Sequence, residues 1–192
     1  MDTKEKILMG MLELIWDVSL EKASIGTLAR RIKVSPGNIY YYFKDKNEIL
    51  NTLYYHCLDM VIEAVEPYAY EKLPDRKKET VKNYLHSFIK KFLNYYRENP
   101  LILNYMVTAK SSSYLSDDIK KIMYNKIDAY GIFFEDMKRN KVTKNVSIEI
   151  TILYMISIMY EFAKQEILLK NITFSDENEE EMFELIWSGL SF

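Results

Sequence analysis

The chain has 192 residues, 48% hydrophobic and 28% charged, with a formal net charge of −2. That length and balance suit a chain able to bury a core, and they exclude intrinsic disorder and a general polycation. Five Gly and four Pro leave long stretches free of helix breakers, and the single cysteine excludes an internal disulfide. The most apolar run, 148–162, carries Glu149 and Glu161 and is too short to span a bilayer. MDTKEKILMGML lacks an apolar leader, so the expected setting is the reducing cytoplasm, with no membrane partner.

In chain order, Asp2 or Thr3 caps a first helix carrying Ile7, Leu8, Met11, Leu14, Ile15 and Val18 at helical spacing and ending near Ser19. Ser24 caps a second, short one with Ile25, Leu28, Ala29 and Ile32 inward. After a tight break at Lys33-Val34, Ser35 caps a third, with Pro36 at its first position. Asp45 caps a fourth that runs from Lys46 to about Glu66 and stops at Pro67. Further helices are expected at about 76–98, 100–110, 117–139, 145–171 and 176–189, separated by segments rich in caps and breakers. The expected fold is all-α, about nine helices, divided as 1–46 and 47–192.

Two short helices joined by a tight turn, with a preceding helix to pack on, form a helix-turn-helix arrangement. A step of about 100° per residue along SPGNIYYYFKDK places Ile39 and Phe43 on one face. Gly37, Asn38 and Tyr41 fall opposite, with Tyr40 and Tyr42 on the flanks. Small residues at the helix start allow close approach to base edges, Asn38 suits an adenine edge, and tyrosine hydroxyls are neutral donors to phosphate. Lys46 adds charge at the start of the following helix. Arg30 to Lys46 holds five basic residues against Asp45 alone, whereas 1–50 nets only +1. The competing readings are that the tyrosines pack between helices and that the lysines are ordinary solvated surface.

The stretch SIGTLARRIKVSPGNIYYYFKDKNEIL, matching at Ser24, Leu28, Ala29, Val34, Ser35, Gly37, Ile39, Tyr40, Tyr42, Phe43 and Lys46, resembles the N-terminal domain of the TetR family of one-component transcriptional regulators. The resemblance covers residues 4–50 and is architectural beyond. By position it implies a DNA-facing set of Ser24, Ser35, Gly37, Asn38, Tyr40, Tyr41, Tyr42 and Lys46. Lys33 and Ser19 stand where the family usually has Gly, so a left-handed backbone is expected at Lys33 or the turn is shaped differently. Gly26 and Pro36 stand where many members carry Arg or Lys.

The resemblance further implies that the rest of the chain is an effector-binding and dimerisation domain, and that the protein is a homodimeric repressor on a palindromic double-stranded operator. A small-molecule effector would release it by swinging the 46–66 helix. The dimer would form through about 145–171 and 176–189, which hold Ile152, Met155, Ile156, Met159, Phe183, Ile186, Trp187 and Leu190. A monomer core is the competing reading, and apolar character on more than one face of 148–162 favours an additional buried interface. An aromatic and methionine-rich set, Tyr84, Phe88, Phe92, Met106, Tyr124, Tyr130, Phe134, Met155, Met159 and Phe162, offers an adaptable lining for a hydrophobic or aromatic effector. A plain core is the competing reading. Glu161 is open to a cationic ligand, to solvent or to a partner's lysine.

No nucleophile elbow, phosphate-cradling Gly loop or HExxH motif occurs, so an enzyme is not expected. His56, Cys57 and His86 fall short of the four ligands of a structural zinc site, although Asp59 or Glu63 could complete a weaker one. Neither a cofactor nor a resident metal is expected. The rival to the regulator is a helical protein-interaction adaptor with a vestigial helix-turn-helix.

Overall fold

The first four helices each open on a short polar side chain that takes up an otherwise orphaned amide. Asp2 Oδ1 accepts from the Glu5 amide at 2.7 Å, and Ser24 Oγ and Ser35 Oγ accept from Thr27 and Asn38, each at 3.2 Å. Asp45 Oδ1 accepts from the Glu48 amide at 2.9 Å. The computed structural model of the chain describes residues 2–118 and 131–192. Its helices are α1 (Thr3–Val18), α2 (Ile25–Arg31), α3 (Pro36–Tyr42), α4 (Lys46–Val65), α5 (Lys78–Glu98), α6 (Pro100–Lys110), α7 (131–139), α8 (Ile148–Ala163) and α9 (Asp176–Leu190). A 3₁₀ turn spans Pro67–Lys72 and a π turn, Lys164–Leu168, prolongs α8. Among the described residues the fold is all-α, with one isolated bridge between Thr143 and Ser191.

Boundaries differ from the sequence expectation where caps intervene. Ser147 Oγ accepts from the Ile150 amide, so α8 starts at Ile148 and not near 145. Arg76 is drawn into the preceding loop by Asp136 at 2.7 Å and the Leu73 carbonyl at 3.2 Å, which delays α5 to Lys78. Of the helix expected at 117–139, residues 117–118 and 131–139 are helical and 119–130 lie outside the described residues.

The chain packs as two units that are not contiguous in sequence: Met1–Met60 with Asn99–Met123, and Val61–Glu98 with Tyr124–Phe192. In the first, α1 packs against both α2 and α6, and α2 against α3. Ile7, Met11, Ile15, Leu28, Ile39, Phe43 and Leu53 fill the core. Tyr105 of α6 is fully buried and donates its hydroxyl to the Leu50 carbonyl. Gly10 lets α1 and α2 approach, since a Cβ there would stand 2.3 Å from Ile32 Cγ2. Arg31 ties α2 back to α1 through Asp17 at 2.6 Å and Glu13 at 3.4 Å.

In the second unit α5 packs on α8 and α9. Val81, Leu85, Phe88, Ile89 and Phe92 face Met155, Met159, Phe183, Ile186, Trp187 and Leu190 in a common core. Polar pairs rim that core: ion pairs of Lys82 with Glu184 at 2.7 Å and of Arg97 with both Glu166 and Glu179, and a hydrogen-bond contact of His86 Nε2 with Glu180 Oε1 at 2.8 Å. Six of the eight residues considered for dimerisation thus belong to the chain's own interior, with only Ile152 and Ile156 half-buried. The same helices turn other apolar residues outward: Ile150, Leu153 and Leu185 are each more than half exposed.

Candidate nucleic-acid interface

The turn between α2 and α3 is built by backbone bonds. The Val34 amide donates to the Ala29 carbonyl at 3.0 Å and the Lys33 amide to Arg30 at 3.4 Å, with Lys33 left-handed at φ 55°. This is a Schellman closure with lysine where glycine is usual, and it is the left-handed alternative expected for Lys33. Ser35 then starts α3 at once, and Pro36 supplies a fixed φ at a position whose amide would be unpaired in any case.

α3 is seven residues long and sharply two-faced. Ile39 and the following Phe43 are 0% and 2% exposed, whereas Tyr40, Tyr41 and Tyr42 are 55%, 83% and 39% exposed. Gly37 and Asn38 are exposed beside them. A Cβ on Gly37 would meet only Ser35 Oγ, at 3.8 Å, so interior packing does not require glycine there. The Tyr41 and Tyr42 rings lie edge to face at 5.0 Å. This face therefore presents one amide and three phenols around a bare stretch of backbone, a surface matched to groove edges and phosphate oxygens.

Ser24 and Ser35 are exposed, each hydroxyl engaged as the cap of its own helix, α2 and α3 respectively. Lys46 is placed differently. It is half-buried, with Nζ donating to the Leu20 carbonyl at 2.7 Å and the Glu21 carbonyl at 3.3 Å. Burial pulls its pKa below the usual lysine range, while the Glu21 charge opposes that shift. Of the five basic residues in 30–46, Arg31 is engaged by Asp17 and Glu13 and Lys46 by carbonyls, leaving Arg30, Lys33 and Lys44 outward. Sequence reasoning passed over Thr27, whose hydroxyl meets that of Ser24 at 2.9 Å, and Lys4, whose Nζ stands 5.7 Å from the Phe43 ring centroid. The third-residue position of Thr27 after a serine cap was the available signal for the first. Lys4 had none, because only the fold brings α1 to the end of α3.

The residues considered for an effector pocket are divided between the two units and a segment outside the described residues. Phe88, Phe92, Phe134, Met155 and Met159 are buried in the second unit, and Tyr84 and Phe162 are half-buried there. Met106 is buried in the first unit, and Tyr124 and Tyr130 lie outside the described residues. Tyr84 packs on Phe133 with ring centroids 5.3 Å apart, and burial pushes its phenol pKa up. An open groove in the second unit is lined instead by Lys78, Lys82, Glu184, Trp187 and Phe192 among others. Glu161 is exposed, and its hydrogen bond from Gln165, then Lys164, holds its carboxyl low. Cys57 is buried, which raises its thiol pKa to about 12. No three His, Cys, Asp or Glu side chains converge on a possible metal position among the described residues. No described helix is long and apolar enough to cross a membrane.

A sequence model of the bacterial regulatory proteins of the tetR family matches residues 7–53, the α1–α4 segment described above. An HTH-type transcriptional repressor of Mycobacterium tuberculosis is 26% identical over 137 residues, 69% of this chain and 49% of that protein. The chain thus spans about half the length of the curated relatives it matches. Among solved structures, a TetR family transcription regulator from Marinobacter aquaeolei VT8 superposes with a TM-score of 0.83 at 19% identity, covering 98% of this chain and 95% of that one. A TetR-family transcriptional regulator from Haemophilus influenzae gives 0.79 at 21% identity, covering 98% and 96%. The match to the tetR family model thus lies in the segment holding the capped α2–turn–α3 pair, and over the remaining length the likeness to these regulators is one of fold.

Proposed function

We propose that the chain is a cytoplasmic DNA-binding transcriptional repressor that acts as a homodimer on a palindromic operator. The observation that carries this reading is the outward face of α3, where Asn38 and three exposed tyrosines surround a glycine that packing does not demand. Ser24, Ser35, Gly37, Asn38, Tyr40, Tyr41 and Tyr42 make the DNA-facing set, with Arg30 and Lys44 beside them for phosphate. Two such faces, related by a two-fold axis and about 34–36 Å apart, would read successive major grooves. Ile150, Leu153 and Leu185 are exposed on α8 and α9 and supply an apolar surface for the dimer. Release follows when a small hydrophobic or aromatic effector, held among the aromatic residues of the second unit, prefers the conformation that does not fit the operator. The shift in equilibrium is set by that difference in affinity.

The test is selection of a binding site from a random duplex pool, followed by fluorescence anisotropy against scrambled duplex over a range of salt. A palindromic product bound at least ~10³-fold more tightly than scrambled DNA supports the regulator. Equal, steeply salt-dependent binding to both duplexes counts against it. One observation favours a second reading, a protein-interaction adaptor: Arg31 and Lys46 are engaged within the chain, thinning the positive charge near α3. Absence of DNA binding at low salt would select that reading.

A further inference from the structure

Lys46 stands at the first position of α4, directly after the recognition helix and its Phe43-Lys44-Asp45 exit. Its ammonium donates to the carbonyls of Leu20 and Glu21, which precede α2. One atom therefore ties together the two ends of the segment that carries α2 and α3. A third segment backs that atom: the ring centroid of Tyr114, after α6, lies 4.8 Å from Nζ. Tyr114 is in turn fixed to α4 by Asn51, whose Nδ2 donates to the Tyr114 carbonyl at 3.1 Å and whose Oδ1 accepts from the Ser116 amide at 2.9 Å. All of these residues belong to one packing unit.

An ammonium has three protons to donate and no acceptor capacity. Two of those protons go to carbonyls and a phenol ring lies alongside, so a DNA phosphate would have to compete with these contacts for the ammonium. A cation close to an aromatic face is attracted by the ring's negative face. We propose that Lys46, Tyr114 and Asn51 form a strut that fixes the α2–α3 pair against α4, and that Lys46 serves DNA recognition as a positioning residue and not as a phosphate ligand. This rests on the DNA-binding reading above. The segment 114–116, far along the chain from the recognition helix, becomes a determinant of how accurately that helix is set.

The experiment compares Lys46→Met, Tyr114→Leu and the double variant on the selected palindrome and on scrambled duplex, across salt and well below the unfolding temperature. Lys46→Met is expected to lose at least tenfold on the palindrome, to keep its affinity for scrambled DNA, and to keep the parent's salt slope. Tyr114→Leu, which leaves the lysine in place, is expected to repeat that loss, and the double variant to be no worse than Lys46→Met alone. An equal loss on both duplexes with a salt slope shallower by about one, the signature of one phosphate contact removed, would overturn the proposal. Unchanged palindrome affinity in folded variants would overturn it as well, since the contacts would then be merely structural. If the parent prefers no duplex, that failure belongs to the DNA-binding reading. The strut is then judged by thermal unfolding, where non-additive single and double variants support it and additive ones overturn it.

Discussion

Ser19 closes α1 with φ 80° and ψ 162°, a backbone region that side chains rarely enter and glycine enters freely. Its hydroxyl bonds Glu21 at the surface, which offsets little of that cost. Ser19→Gly is therefore expected to raise stability by about 1 kcal/mol. For a domain of this size that is roughly 2–4 °C in thermal midpoint. A midpoint that falls would show the strain to be absent. On α3, Asn38 and Tyr41 offer different chemistry from neighbouring positions. A side-chain amide matches a base edge in two directions, so Asn38→Ala should cost about 1–3 kcal/mol on the preferred site and relax its base preference. A phenol donating to phosphate carries no base information, so Tyr41→Phe should weaken binding evenly across sequences. Competition titrations on single-base variants of the selected site separate the two, and identical profiles for both substitutions would defeat the distinction.

At the scale of elements, the caps and the helical periodicity were readable because both are local. Asp2, Ser24, Ser35 and Asp45 cap where their sequence positions imply, and Ile39 and Phe43 turn inward as a 100° step requires. What a helix face meets is not local. α8 is apolar nearly all round, so spacing alone could not separate Met155 and Met159, which are core, from Ile150 and Leu153, which are exposed. The same limit hid the commitment of Lys46, since a charge count does not see the Leu20 and Glu21 carbonyls. If the exposed stripe joins two chains, Leu153→Arg with Leu185→Arg should convert a dimer to a monomer in sedimentation velocity while leaving the helical signal intact. A parent chain that already sediments as a monomer would remove the dimer from the proposal.

Over the whole molecule, acidic groups slightly outnumber basic ones, and several exposed or half-exposed carboxylates are held below their ordinary range. Glu21 is lowered first by a backbone hydrogen bond, Glu66 by Lys91, Asp75 by Thr80 and Glu161 by Gln165. For each, the folded pKa lies under the unfolded one, so its contribution is present above the ordinary carboxylate range and lost as pH falls through and below it. The thermal midpoint is expected to decline below about pH 4.5, less steeply in high salt because these groups are open to solvent. A midpoint that climbs on acidification would contradict the pairing.

The grouping of α6 with α1–α4 has no signature in any short stretch of sequence, yet it has a practical consequence. The chain leaves its first packing unit within α4, traverses α5 and returns at Asn99, so that α1 meets α6 on the way back. A head bearing α1–α4 cannot then be transplanted as a cassette through one splice near residue 60. Such a chimera would join a foreign α1 to the resident α6 and set Tyr105 looking for a Leu50 carbonyl in a borrowed helix. Grafts that carry residues 99–118 along with the head keep that seam native, and they mark where recombination between relatives would leave working offspring.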